Sequence, residues 1–133
     1  MSPRWLILFL RIIGVAACFA FLAAIMPSHW MIEIAEELRI DFPSQSPLAF
    51  YLARNLSLLY GYVGAALLLI AADLTRYRPL VRWAAYGTLS FALLQAVVDS
   101  MAGMPAWWTW GESGSTLLGG GLLWWLDRHT RES

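Results

Sequence analysis

The sequence predicts an all-α integral membrane fold: a four-helix bundle with a short amphipathic helix on the outer surface, between the first and second spans. Three observations predict it. The 133 residues are 59% hydrophobic and only 14% charged, more apolar than a soluble domain of this size can cover with its own surface. Four windows carry the roughly 20 mainly apolar residues that a spanning helix needs. The arginines and tryptophans are then distributed about those windows as a bilayer would sort them.

The windows run over Trp5–Met26, Leu48–Ala72, Leu80–Met101 and Ala106–Leu126. Pro47, Pro79 and Pro105 stand at the mouths of the last three, where a first-turn proline loses no internal hydrogen bond. Ser46 is placed to cap the second helix, and Pro27 closes the first. Between the first two spans, Trp30–Ile40 reads WMIEIAEELRI, with Glu33, Glu36 and Glu37 at helical spacing and apolar residues opposite, which predicts the surface helix. No repeat or linker divides the chain, so residues 1–133 read as one transmembrane domain.

In this arrangement Arg4, Arg11, Arg76, Arg78, Arg82, Arg128 and Arg131 fall on one side, and Arg39 and Arg54 on the other with most of the acids. The positive-inside rule then puts both termini in the cytoplasm. Trp5, Trp83, Trp124 and Trp125 form an inner interfacial belt and Trp30, Trp107, Trp108 and Trp110 an outer one. Val15-Ala16-Ala17-Cys18 has the form of a lipoprotein cleavage site, but Arg11 interrupts its hydrophobic stretch and strongly apolar residues follow, so the segment reads as retained.

Several function classes are excluded by composition. The formal net charge is zero and no basic run marks a nucleic-acid partner. A single cysteine, Cys18, removes disulfide exchange and multi-cysteine zinc sites. His29 and His129 fall outside the spans at opposite faces and cannot share a metal. No cofactor motif is present, and no histidine reaches the depth of a serine to make a nucleophilic set. The chain therefore reads as non-catalytic.

Candidate site residues come from polar groups inside the windows. Arg54, Asp99 and Glu112 lie at matching depth in the outer third of the membrane, and helical spacing aims each at a face carrying small or polar residues, Gln95 among them. An isolated charge in hydrocarbon costs at least about 2.5 kcal/mol, so the three are expected to meet, as a polar staple or as a ligand or proton site. Tyr51, Tyr60, Trp107, Trp108 and Trp110 have the composition of a cage for a cationic or flat ligand. Ser57, Gly61 and Ala65, and again Gly111, Ser115 and Gly119, recur every four residues and predict close helix packing.

The run from Arg54 to Arg82, ending ADLTRYRPLVR, and the stretch DSMAGMPAWWTWGE from Asp99 to Glu112 resemble small four-helix bacterial inner-membrane proteins of DoxX-like layout. A fainter likeness in shape is to sterol-binding bundles of the emopamil-binding group. Small multidrug transporters share the helix count but carry their membrane glutamate in the first helix, where this chain has none. The resemblance implies a bacterial inner membrane and no agreed activity. The expected partners are membrane lipids, other membrane subunits or a second copy of the chain. Two functions are expected to compete: an accessory subunit or binder of a small lipid-like ligand, and a dimeric proton-coupled transporter in which Glu112 or Asp99 titrates.

Overall fold

A computed structural model describes residues 2–131, and every regular element among them is helical. In chain order these are α1 (Pro3–Cys18), α2 (Ala20–Ala24), α3 (Ser28–Glu37), α4 (Pro47–Ala72), α5 (Leu74–Ala102) and α6 (Ala106–Arg131). Three stretches are long and apolar enough to cross a membrane: Pro3–Ala24, Pro47–Ala72 and Leu74–Ala102. In their most apolar windows only 17%, 22% and 17% of residues are buried. Most of their leucines, valines and aromatics are exposed, as in a protein whose solvent is hydrocarbon.

The expected fourth window forms a helix, α6, but falls short of the apolarity of the other three. Its first half reads AWWTWGESGSTL, where hydroxyls, glycines and Glu112 dilute the hydrophobic content. The sequence-level boundaries also shift in the third window. Pro79 was expected to open that helix, yet α5 begins at Leu74 and carries Pro79 inside it. Asp73 explains the earlier start: its side chain accepts a hydrogen bond from the Arg76 amide at 3.2 Å, an N-cap that fixes the first turn ahead of the proline. The first window is tightened at Phe19, whose amide is shared between the Val15 and Ala16 carbonyls at 3.3 and 3.2 Å.

A short helix, α3, forms between the first two stretches and starts ahead of the predicted Trp30–Ile40, because the Pro27 carbonyl accepts from Trp30 and starts the first turn. It ends in a Schellman motif. The Ile40 amide reaches the Ala35 carbonyl at 2.8 Å and the Arg39 amide reaches Glu36 at 3.0 Å, with Arg39 at φ 57, a left-handed conformation usually left to glycine. The same motif closes α5. Gly103 takes φ 73, and the Met104 amide bonds the Asp99 carbonyl at 3.1 Å.

The chain divides into two compact units, Met1–Leu10 with Ile70–Ser133, and Arg11–Leu69. In the first, α5 packs along α6 over a core that includes Leu6, Leu10, Val81, Ala85, Ala92, Leu123 and Leu126. One end of that pair is tied by an ion pair. Arg78 Nε donates to Asp127 Oδ1 at 2.8 Å, and Nη2 donates to the Asp127 carbonyl at 2.7 Å and to Thr130 Oγ1 at 2.6 Å. Asp127 is 1% exposed and accepts from that guanidinium at both its carboxylate and its carbonyl. In the second unit α1 crosses α4 at backbone distance: a Cβ added to Gly64 would lie 2.6 Å from the Gly14 carbonyl oxygen and 2.7 Å from the Cys18 nitrogen.

Two outcomes follow for stability in detergent. Gly64→Ala forces backbone apart at the α1–α4 crossing and is expected to destabilise by about 1–3 kcal/mol, read as a lower thermal midpoint. Arg78→Leu removes the guanidinium from the buried Asp127 and from Thr130 and is expected to cost about 3 kcal/mol.

Candidate functional site

The polar residues singled out by spacing divide between the two units. Arg54 belongs to Arg11–Leu69, whereas Gln95, Asp99, Trp108 and Glu112 belong to the unit built on α5 and α6. Each group has its own chemistry.

Within its own unit the Arg54 guanidinium donates to backbone and to a hydroxyl: Nη1 to the Ala24 carbonyl at 2.9 Å and the Met26 carbonyl at 2.8 Å, and Nη2 to Ser28 Oγ at 3.1 Å. These carbonyls lie where α2 ends and the turn to α3 begins, so they lack partners within a helix. A cation at a helix C-terminus is favourable for the same reason. Arg54 therefore clasps the junction of α2, α3 and α4. The predicted stripe beside it is partly in use. Gly61 approaches the Phe21 ring so closely that a Cβ there would sit 2.6 Å from it, and Ser57 Oγ donates to its own helix at Ala53. Ala65 is exposed, and the second close contact falls on Gly64, three residues on rather than four.

The α5–α6 hairpin brings together the other predicted residues. The Glu112 carboxyl faces those of Asp99, with the Gln95 amide and the Trp108 indole as its remaining polar neighbours. Asp99 is 9% exposed, and its Oδ2 is buried with no donor. Thr116 Oγ1 donates to the Glu112 carbonyl at 2.8 Å. The helices come close at Gly120, where an added Cβ would meet Leu89 and Thr88 at 3.1 Å. The predicted stripe Gly111, Ser115 and Gly119 is not that contact: Gly111 and Ser115 are exposed, and a Cβ on Gly111 or Gly119 would meet nothing within 4 Å.

Beside the carboxyl pair the same two helices enclose a groove of about 490 Å³. Its wall is made by Ala92, Leu93, Ala96 and Ser100 of α5, Met104 of the turn, and Ala106, Thr109, Trp110, Ser113, Gly114 and Leu117 of α6. Alanine and glycine on facing helices leave the volume open. The Ser113 hydroxyl is buried without a partner, unlike Ser100 and Ser115, which donate to carbonyls of their own helices. Ser100, Thr109 and Ser113 were not singled out from the sequence, although Ser100 and Ser113 adjoin the two acids. Trp110 borders the groove and is 79% exposed, while Trp107 packs edge-on to Trp108 at 5.7 Å. The tryptophans thus divide among groove, carboxyl pair and surface and do not wall one cage. Tyr51 and Tyr60 lie in the other unit.

No group of metal-ligating side chains occurs among the described residues. No family model, curated protein or solved structure matches this chain.

The role of Arg54 is open to direct measurement. Arg54→Met removes donors from the Ala24 and Met26 carbonyls and is expected to destabilise by about 1–3 kcal/mol. Hydrogen exchange at the α2–α3 junction should rise, with no change at α5 and α6.

Proposed function

We propose that this chain is a non-catalytic, multi-pass protein of the bacterial inner membrane that binds a small lipid-like ligand in the α5–α6 groove, on its own or as an accessory subunit of a membrane complex. In this reading α6 is the fourth span and both termini are cytoplasmic, which places the groove in the outer leaflet. The observation that carries the reading is the groove itself. Its volume falls within the usual range for small-molecule sites, its wall is mainly apolar, and a few hydroxyls and one tryptophan interrupt it, the composition of a pocket for an apolar ligand with a small polar part.

Gly114 gives a clean test, because a Cβ there meets nothing within 4 Å and a larger side chain enters the groove without clashing at its root. Gly114→Leu is expected to weaken displacement of a fluorescent fatty-acid probe about tenfold, equivalent to ~1.4 kcal/mol of apolar contact, at unchanged thermal stability. Full binding by the variant would sink the groove reading.

The carboxyl pair favours a second reading, a dimeric proton-coupled transporter. In that reading the neighbouring Asp99 and Glu112 carboxyls carry the proton, a purpose that ionisable groups inside membranes commonly serve. Glu112→Gln keeps a donor toward Asp99 while removing the titrating group. It abolishes proton-coupled uptake in proteoliposomes if the chain is a transporter, and leaves probe binding and its pH dependence unchanged if the groove only binds.

A further inference from the structure

Arg11 stands within the apolar stretch Pro3–Ala24, eight residues from its start and so about 12 Å along the helix. Its side chain is exposed, and among the described residues it has no hydrogen bond or ion pair. Arg54 and Arg78, by contrast, direct their guanidinium groups at carbonyls, a hydroxyl and a carboxylate of the chain. A guanidinium keeps its charge in any protein setting, and an unpaired charge within an apolar stretch is costly. The Arg11 charge is thus open to an anion from outside the chain.

The surface around Arg11 says what that counter-ion is attached to. An open trough of about 430 Å³ follows the helix, lined by Arg11, Ile12, Val15, Ala16 and Phe19. Positions 11, 15 and 19 succeed one another at helical spacing, with 12 and 16 beside them, so the trough has one cationic end and an apolar length running deeper into the stretch. Helical side chains lean toward the N-terminus, which lets the Arg11 stem reach back to the nearer membrane surface while the trough points away from it. A planar guanidinium also matches the paired oxygens of a phosphate.

We propose that this trough is a binding site for an anionic phospholipid, its phosphate on Arg11 and one acyl chain along Ile12, Val15 and Phe19. The site is independent of the α5–α6 groove and stands whether or not that groove binds a ligand.

The test is native mass spectrometry of the full chain released from detergent, titrated with phosphatidylglycerol and with phosphatidylcholine of identical acyl chains. The wild type is expected to prefer the anionic lipid about fivefold, as one cation near a lipid surface provides. Arg11→Gln should remove the preference, Arg11→Lys should keep part of it, and Val15→Trp, which fills the trough, should weaken both lipids. Equal binding of the two lipids by the wild type overturns the proposal, as does a preference that survives Arg11→Gln. Competition by glycerol phosphate as strong as by phosphatidylglycerol, or a protein subunit that binds in place of lipid and is released by Arg11→Gln, overturns it too. Should Arg11→Gln fail to fold, the comparison of wild type, Arg11→Lys and Val15→Trp decides the matter.

Discussion

Every backbone amide and carbonyl in an apolar medium has to be paired inside the chain, because the medium offers no hydrogen bonds. The rest of this structure depends on that constraint. It accounts for the helical content, and it explains why the irregular backbone is short and closed by specific devices. The turn after α5 is a Schellman motif on Gly103, and α3 ends in the same motif on Arg39. Where α2 gives way to α3, the free carbonyls of Ala24 and Met26 are taken by Arg54. A charged side chain thus serves the backbone, and the charge is held by dipoles rather than by an opposite charge.

Polar side chains follow the same logic with different partners. Asp127 is buried and meets Arg78, which also reaches Thr130. Ser57, Ser100 and Ser115 turn their hydroxyls back on their own helices. Among the described residues the buried side-chain atoms left without a partner are Asp99 Oδ2 and Ser113 Oγ, both on the α5–α6 hairpin. A buried polar atom without a partner is costly, and both occur beside the groove that carries the functional proposal. The hairpin is close at Gly120, which packs against Thr88 and Leu89.

The legibility of the sequence varied with the kind of interaction. Helices were readable because apolar length and proline placement act locally; the starts at Pro47 and Ala106 needed no tertiary information. The start at Leu74 was hidden because Asp73 and Pro79 give competing local signals, and the cap prevailed. The meeting of Glu112 with Asp99 and Gln95 was legible from depth and helical face. The destination of Arg54 was not, since pairing arguments count charges and overlook carbonyls at a helix end. Small-residue stripes fared similarly: spacing marked Gly61, but the backbone contact also needed Gly64, and Gly120 rather than Gly119 faces α5.

By itself, then, the sequence determined an all-helical chain with outward-facing apolar surface, because composition and periodicity are properties of single segments. It also determined which residues carry polar chemistry, since few exist. Only the tertiary structure decided their partners: Arg78 with Asp127, Arg54 with carbonyls, Glu112 with Asp99, and Arg11 with no hydrogen bond or ion pair among the described residues. A partner is chosen by helix rotation and by where a helix ends, and a few tens of degrees of rotation exchange one facing residue for the next.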